Sequence, residues 1–515
     1  MKILYHITVL LQALCLGNSL KILVVFPLPG PSHFILGNSL ARGLVEAGHE
    51  VTIVSPFEDK NPPKNGRYTS VKLEGAKEAI ESTNENINMF DLVNVNPFTF
   101  IPFMNFMGNV ITNTTLTNAN FKKLINSDQK FDVVVIEQFK NDALRVLACH
   151  YQAPLVIISS MGANSWVNSL VGNPAPPSYI PDLYLSYTRN MNLWQRSVNL
   201  LMYLTKEISH RFFFTPAQNE LAKKHFPKCV DENGPIANVS LLLLNSHESI
   251  DDPVPYVPNM VNIGGYHVNP PKSLPKDLQE FCDNATDGVI YFSMGSNLKP
   301  SDMNQESKQA LLSALGKLKQ KVLWKWDEDH LPGKPENVKI GKWFPQQDIL
   351  AHPNVKLFIT HGGLLSTTET IYHGVPILAI PVFGDQKMNA AKAVAAGYGL
   401  SLSINELSEE NLSNSINELL NNSKYRDNAK RRSAIMHDRK VKPMDLATYW
   451  IEFVVRHKGA PHLRVAALDL TWYQYFLVDI VLLVGAVVAS LMLASYLILK
   501  KLCCSKKPSR KMKKN

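Results

Sequence analysis

The chain has 515 residues, of which 45% are hydrophobic and 19% are charged, and its formal net charge is +9. A chain of this length can form two or three domains, and this composition excludes a largely disordered protein. Eight of the nine net positive charges are accounted for by the last sixteen residues, so the net charge does not indicate nucleic-acid binding.

The first predicted element is a secretory signal peptide over residues 1–19. A basic residue, Lys2, is followed by an apolar run that ends at Gly17 and then by small or polar residues. This order is typical of signal peptides, whereas a better β-strand begins only at Lys21.

Residues 20–265 are predicted to form an α/β domain with a parallel sheet. Its strands are near-continuous apolar runs rich in valine and isoleucine, as expected for parallel strands buried on both faces. These runs are residues 21–29, 51–55, 131–136, 155–160 and 239–245. Between the first two, residues 34–48 have apolar residues at helical spacing, which predicts a βαβ unit.

Three side chains that could move a proton follow strands of this domain. His33 follows the first strand, just before the helix, and an imidazole titrates near neutral pH. Glu137 and Asp142 both follow the strand at 131–136, and either carboxylate could orient such a histidine. From the residues alone, His33 could equally cap the helix or lie on the surface.

Two segments of the first domain are candidates for an apolar pocket. Residues 96–110 are rich in aromatic residues and methionine, which adapt to varied ligands. An ordinary amphipathic core helix explains this composition equally well. Residues 174–181, with the helix-like sequence that follows to Tyr203, are the other candidate.

Cysteines and glycosylation sequons fit an extracytoplasmic domain. Between the predicted signal peptide and the C-terminal apolar segment there are three cysteines, Cys149, Cys229 and Cys282, which allow one disulfide and have no zinc-ligand spacing. Five asparagines lie in Asn-x-Ser/Thr sequons, where N-glycosylation is open to the chain. They are Asn113, Asn238, Asn284, Asn411 and Asn421.

Residues 266–285 are predicted to link the first domain to a second α/β domain over residues 286–435. A proline-rich stretch at 253–275 marks the boundary. The predicted strands are residues 288–295, 322–326, 338–341, 355–360 and 377–380. Residues 409–450 are predicted to be helical.

The most informative stretch runs from Trp343 to Gln386 and contains the groups needed to hold a nucleotide. An apolar strand at 355–360 runs into His361 and two glycines before a helix, and such a turn presents backbone N–H groups to an anion. The side chains that could bind a uridine diphosphate sugar are Trp343, Gln346, His361, Ser366, Glu369, Asp385 and Gln386, together with the backbone at Gly363.

This stretch resembles the donor-binding signature of the UDP-glycosyltransferase family. The resemblance implies uracil stacking on Trp343 and ribose contacts for Gln346 and Glu369. It implies diphosphate contacts for His361 and Ser366, with Ser296 in the turn after residue 293 as a further contact. Asp385 and Gln386 would then bind sugar hydroxyls, and Leu365 departs from the Asn that many plant members carry.

The resemblance extends over nearly the whole mature chain and implies the GT-B fold, in which two Rossmann-like domains face each other across a cleft. It also implies that the C-terminal helix returns to the first domain. It makes His33 the general base of an inverting transfer. Asp142 is the favoured partner of His33, because members with this strand commonly carry an aspartate a few residues on. Glu137 remains the alternative, because it keeps the offset of vertebrate members.

No metal or other cofactor is expected. The acidic run at residues 327–329 could be taken for the D-x-D motif of metal-dependent glycosyltransferases. That motif belongs to a different fold, and here the run follows a strand as a solvated loop before Pro332.

The C-terminal part predicts a membrane anchor. Residues 436–474 are predicted to form the C-terminal helix and a juxtamembrane segment, and residues 475–499 a transmembrane helix, since residues 480–499 carry no charge. Eight lysines and arginines and no acids follow in a basic tail, residues 500–515. The positive-inside rule places this tail in the cytosol and the rest in the lumen. Lys511 and Lys513 resemble a dilysine retrieval signal, which indicates a single-pass type I protein of the endoplasmic reticulum.

The predicted function is therefore transfer of a hexose from a UDP-sugar to a small lipophilic acceptor in a detoxification role. The resemblance to invertebrate members of the family makes UDP-glucose the favoured donor and UDP-glucuronate the second. The lack of an arginine beside Asp385 and Gln386 to pair a uronate is minor additional support. The alternatives are a glycosyltransferase acting on membrane lipid and a catalytically dead homologue that binds lipophiles. The predicted partners are the two substrates and the lipid bilayer, with homo-oligomerisation left open.

Overall fold

The computed structural model describes residues 19–83, 88–230 and 236–504. The part up to Leu463 forms one compact unit, and a second unit begins at Arg464. The predicted signal peptide lies outside the described residues except for Ser19, and so do the lysines and arginines of the tail beyond Cys504.

The first sheet of the compact unit has seven parallel strands in the order β3-β2-β1-β4-β5-β6-β7. All five predicted strands are confirmed. The two that were missed, β3 and β7, lie at the edges, where β3 is half-polar and β7 has only three residues. The strands are β1 (Lys21–Val25), β2 (Glu50–Ser55), β3 (Tyr68–Lys72), β4 (Val133–Glu137), β5 (Leu155–Ser159), β6 (Val239–Leu244) and β7 (Met260–Asn262).

Helices cover both faces of this sheet because the crossover between parallel strands must pass over a face. The first helix begins at Pro31, where the missing N–H of proline costs nothing, and it buries Leu36, Leu40 and Leu44 against the sheet. The helices are α1 (Pro31–Glu46), α2 (Ala76–Thr83), α3 (Phe100–Thr117), α4 (Ala119–Ile125), α5 (Leu147–Tyr151), α6 (Ser165–Asn168), α7 (Leu193–Ser209) and α8 (Thr215–His225).

The second sheet has six parallel strands in the order β10-β9-β8-β11-β12-β13, which repeats the arrangement of the first sheet. In both sheets the order reverses between the first strand and the fourth, and ligands of open α/β sheets bind at that point beyond the carboxyl ends of the strands. The strands are β8 (Val289–Ser293), β9 (Lys321–Lys325), β10 (Val338–Gly341), β11 (Val355–Thr360), β12 (Ile377–Ala379) and β13 (Gly399–Ser401).

The helices that follow β7 belong mostly to the second sheet. One of them, Lys276–Asp283, lies inside the predicted linker and buries Leu278 and Cys282 in the second core, so the connection between the halves is shorter than residues 266–285. The helices are α9 (Lys276–Asp283), α10 (Gln305–Gly316), α11 (Gln346–Leu350), α12 (Leu364–His373), α13 (Gln386–Ala395), α14 (Glu409–Asn421), α15 (Ser423–His437) and α16 (Pro443–Arg456).

Two segments cross between the halves. The helix α16 returns to the first sheet and buries Ala447, Ile451 and Val454 there, which confirms the return that the resemblance implies. In the other direction, a 3-10 turn at Met89–Asn94 buries Phe90 in the core of the second sheet. Burial of one phenylalanine contributes about 1.5–3 kcal/mol, so the two halves are held by more than their linker.

One disulfide joins Cys149 to Cys229 across 80 residues of the first half. It closes a long loop, which in the chain-entropy account stabilises the fold by restricting the unfolded chain. The third cysteine, Cys282, is a buried free thiol.

The second unit consists mainly of one apolar helix. The helix α17 (Trp472–Tyr475) is followed by α18 (Val478–Cys504), whose 27 residues have a mean hydropathy of 2.5 in their most apolar window. A helix of that length extends about 40 Å, more than the ~30 Å hydrocarbon core of a bilayer. By length and composition α18 is a candidate membrane span.

Candidate active site

His33 lies on the third residue of α1, directly beyond the carboxyl end of β1. Its Nδ1 is hydrogen-bonded to Oε1 of Glu137, the last residue of the adjacent strand β4. Glu137 is fully buried, while the His33 side chain keeps 16% of its surface exposed. Because Nδ1 is occupied by the carboxylate, Nε2 is the ring nitrogen left to exchange a proton with a bound substrate.

The favoured partner of His33, Asp142, is therefore corrected to Glu137. Asp142 is also buried, but it pairs with Arg145 at 3.0 Å and accepts from the side chain of Gln138. Burial opposes its charge, yet Arg145 and the neighbouring His210 keep the pKa of Asp142 below its ordinary value. The arginine three residues later is a sequence signal that Asp142 has a local partner of its own.

The second half contributes an imidazole and a helix N-terminus. His361 follows β11, and the backbone then turns through Gly362, which has φ +81°, before α12 begins at Leu364. Burial, together with the nearby charge of Lys325, lowers the pKa of His361 to about 4. His361 is thus neutral at physiological pH, and a neutral imidazole can donate one N–H to an anion held at the start of α12.

Two glycines enclose the ring of His361. A Cβ atom added to Gly295 or to Gly363 would lie 2.5 Å from an atom of that ring. Gly363 has φ −63°, which any residue adopts, so only the contact with His361 requires glycine there. Ser296, next to Gly295, lies exposed in the same turn at the entrance to this site.

We expect Gly363→Ala to raise KM for the nucleotide sugar about 5- to 100-fold, because overpacking of this kind costs about 1–3 kcal/mol and here displaces His361. Steady-state kinetics with varied donor would measure the change. In a His361→Ala background the same substitution should have little further effect, since the ring it displaces is gone. An equal loss in both backgrounds would contradict the steric explanation.

Lys325 is a site residue that sequence reasoning missed. It ends β9, donates from Nζ to the Gly295 carbonyl at 2.7 Å, and lies 4.6 Å from the ring centroid of Trp343. Burial lowers the pKa of Lys325, and Asp327 opposes that change. A lysine that ends a buried strand at the ligand edge of the sheet was the available signal.

The predicted uracil and ribose contacts lie together beside α12. Trp343 leaves 65% of its surface exposed, so a face of its indole is open to a flat ring. The side-chain amide of Gln346 donates to Glu369 and, at 3.2 Å, to Ser366. A second amide, that of Gln347, donates to Glu369 at 3.0 Å and was not predicted.

Glu369 is a buried carboxylate. Burial raises the pKa of Glu369 to about 6. The hydrogen bonds from the two glutamine amides oppose this change, because they favour the charged form. An ionised Glu369 accepts hydrogen bonds, which is the chemistry that ribose hydroxyls require. The predicted uracil and ribose contacts therefore form one contiguous surface.

Asp385 and Gln386 form the start of α13, on the side of the second half that faces His33. Asp385 accepts from Asn389 at 2.7 Å, and burial raises the pKa of Asp385, which the Asn389 hydrogen bond partly opposes. Gln386 uses its amide oxygen to accept from the backbone N–H groups of Val382 and Phe383, at 2.8 and 3.1 Å. The sugar-binding candidates and the candidate base therefore lie across the cleft from each other.

An apolar wall adjoins His33. The ring of Phe139 meets His33 edge-on with centroids 5.0 Å apart, and Phe139 makes the same kind of contact with Trp166. The wall combines residues of both candidate segments, from α3 and from the chain after residue 181, with Met388 of the second half. Its members are Phe100, Phe103, Met104, Phe139, Met161, Trp166, Leu183, Tyr184 and Met388.

The acidic run at residues 327–329 makes only local contacts. Asp327 accepts from the backbone and the hydroxyl of Ser301, and Asp329 pairs with Lys342 at 2.8 Å. These contacts satisfy the carboxylates within the second half.

Comparison with known proteins decides the family. A model of the family "UDP-glucoronosyl and UDP-glucosyl transferase" matches residues 21–514. The chain belongs to this family. It is a UDP-glycosyltransferase, an enzyme that uses a UDP-sugar donor and an acceptor substrate, and the donor-binding resemblance drawn from residues 343–386 is confirmed at the level of the family.

Similar proteins come from insects and mammals. UDP-glycosyltransferase UGT5 of Dactylopius coccus is 36% identical over 534 residues, covering 100% of both chains. UDP-glucuronosyltransferase 1A9 of Homo sapiens is 32% identical over 493 residues, covering 94% of this chain and 91% of the human one.

Solved structures support the fold. The glycotransferase of kitacinnamycin superposes with a TM-score of 0.57 at 17% identity, covering 85% of this chain and 99% of that one. The spinosyn forosaminyltransferase SpnP gives a TM-score of 0.52 at 18% identity, covering 85% of this chain and 100% of that one. The two facing Rossmann-like halves are thus the predicted GT-B fold.

Proposed function

We propose that this UDP-glycosyltransferase moves glucose from UDP-glucose to a hydroxyl of a small lipophilic acceptor, with inversion at the anomeric carbon. The observation that carries the proposal is the pair of His33 and buried Glu137, which lies beside the apolar wall and across the cleft from Asp385. A base, an apolar surface and a sugar-binding carboxylate are the three groups that such a transfer brings together.

In this mechanism Nε2 of His33 takes the acceptor proton while the acceptor oxygen bonds to the anomeric carbon. The bond from that carbon to the diphosphate breaks, and its electron pair remains on the leaving oxygen of UDP. Glu137 stabilises the imidazolium that forms. His361, Lys325 and the N-terminus of α12 stabilise the diphosphate, so the proposed reaction requires no metal ion.

Glucose is preferred to glucuronate because the cations near the sugar site have other partners. Lys387, next to Gln386, donates to the carbonyl of Val93 at 2.8 Å. Lys392, one turn on, pairs with Asp251 at 2.7 Å. A uronate carboxylate would therefore lie close to Asp385, and these two described lysines, which already have partners, would offset the repulsion little.

A donor screen tests the sugar assignment. Microsomes that contain this chain should transfer from UDP-glucose to a phenol panel at least tenfold faster than from UDP-glucuronate. Asp385→Asn should reduce that preference while UDP still inhibits, because Asp385 acts on the sugar and not on the nucleotide. Faster transfer from UDP-glucuronate by the parent enzyme would refute the assignment.

We also propose that the globular unit lies in the lumen of the endoplasmic reticulum and that the basic tail is cytosolic. The α18 span and the basic residues that follow it support this orientation. All five sequon asparagines, from Asn113 to Asn421, are exposed and so accessible to lumenal glycosylation.

Protease treatment of sealed microsomes should remove only a C-terminal tag and leave a glycosidase-sensitive band of nearly full length. The reason is that the membrane shields everything that precedes α18. Immunoblotting before and after detergent provides the control, because detergent should expose the whole chain. Digestion of the bulk of the chain in sealed vesicles would reverse the proposed orientation.

A further inference from the structure

The helix α7 exposes an apolar face. Six large apolar side chains on it are between 46% and 74% exposed, whereas the outward face of a helix in water is ordinarily polar. They are Leu193, Trp194, Leu200, Leu201, Leu204 and Ile208.

These side chains form one stripe. At 3.6 residues per turn, their spacing keeps them within about a third of the helix circumference. The opposite side of α7 packs inward through Asn199, Met202 and Lys206, which are buried. The usual amphipathic pattern is therefore reversed, because polar Asn199 and Lys206 face inward and the apolar stripe faces outward.

The turn after α7 extends the stripe. In the π-helical turn His210–Phe214, Phe212 is 64% exposed and Phe213 is 70% exposed. Scattered exposed apolar residues are ordinary, but a contiguous patch of this size marks an interaction surface.

The charges around this patch favour a lipid surface as its occupant. Arg189, Arg196 and Arg211 are exposed along its border, against one exposed acid, Glu207. Basic residues beside an apolar face that carries tryptophan and phenylalanine are the features of a helix that lies in a membrane interface.

The chain also carries a bilayer anchor within reach. Residues 464–477 separate the compact unit from α18, and these fourteen residues span at most about 50 Å even when extended. The tether keeps the compact unit close to a lipid surface, so weak contacts suffice for docking.

We propose that the outward face of α7 and the turn that follows it dock into the interfacial layer of the bilayer that anchors the chain. The inner face of α7 packs Met202 and Val198 against Ile101 and Leu185, and Ile101 belongs to α3, the helix that supplies Phe100, Phe103 and Met104 to the apolar wall. Docking would therefore bring lipid-dissolved molecules close to that wall, a consequence that rests on the proposed lipophilic acceptor.

Spin-label accessibility tests the docking directly. The full chain, with Cys503→Ser and Cys504→Ser, would carry one label at Leu204→Cys in nanodiscs of phosphatidylcholine and phosphatidylserine. A matched control would carry the label at Asn414→Cys, an exposed polar position on α14. We expect collisions with lipid-soluble oxygen to exceed those with a water-soluble nickel chelate several-fold at residue 204, and the reverse at residue 414.

Two results would overturn the proposal. Preferential collision with the nickel chelate at residue 204 would mean that the face lies in water. Exclusion of both agents, with spin–spin broadening, would mean that a second copy covers it. A label at Leu201→Cys repeats the test if the first variant folds poorly, and neither measurement depends on turnover or on the identity of the sugar.

Discussion

His33→Ala should lower kcat by about 10²–10⁴-fold, the usual contribution of a general base. The physical reason is that His33 lies beside the apolar wall. Its Nδ1 is held by the buried carboxylate of Glu137, which leaves Nε2 to accept the proton. Without it, the acceptor hydroxyl must lose its proton to water while it attacks the anomeric carbon.

The binding of UDP should be nearly unchanged, because the nucleotide contacts lie on the second half of the molecule. Inhibition by UDP therefore measures whether the variant is folded, and kcat with a saturating phenol measures the base. His150→Ala is a matched control, since that exposed ring contacts only the carbonyl of Ile125 and the neighbouring rings of Tyr151 and Phe226. A His33→Ala enzyme that kept more than about a tenth of kcat would exclude the general-base role.

Glu137→Gln should lower kcat by about 10²–10⁴-fold, because a neutral amide neither stabilises the imidazolium nor holds the ring in the required tautomer. Inhibition by UDP should again be retained.

Asp142→Asn is the matched variant, and we expect it to lower the stability of the fold and to leave kcat almost unchanged. Removing one partner of a buried ion pair destabilises a fold by about 3–5 kcal/mol, and here Arg145 would be left without its carboxylate. Denaturant unfolding should show that loss, while kcat of the folded fraction should stay within a few-fold of the parent. If Asp142→Asn lost more kcat than Glu137→Gln, the carboxylate that serves His33 would have been wrongly assigned.

The donor side of the site was predictable because its residues are close together in the sequence. The strand at 355–360, the turn at Gly362 and the helix that follows are consecutive in the sequence, so a local pattern predicts their order. Gln346, Ser366 and Glu369 then meet because two short helices, α11 and α12, lie side by side. Lys325 was missed because it reaches the site from another strand, β9, which local patterns do not connect to it. Gln347 was missed although it follows the predicted Gln346 directly on α11.

The pairing of His33 with Glu137, in contrast, could not be predicted from local sequence. His33 and Glu137 are 104 residues apart and meet only because β1 and β4 are adjacent in the sheet. Two carboxylates follow β4, and both are buried. Position relative to the strand end could not distinguish them, because either carboxylate could have turned toward the histidine, and the local signal was Arg145, three residues after Asp142.

By itself, then, the sequence determined the resemblance to the family, the two parallel sheets, the candidate donor-binding residues and the apolar C-terminal helix. Each of these depends on periodicity or on residues within a few tens of positions, where chain geometry leaves few alternatives. The tertiary structure decided that Glu137 is the carboxylate hydrogen-bonded to His33, that Cys149 bonds to Cys229, and that the outward face of α7 is exposed. These depend on which distant segments become neighbours, and strand order and packing set that only when the whole chain has folded.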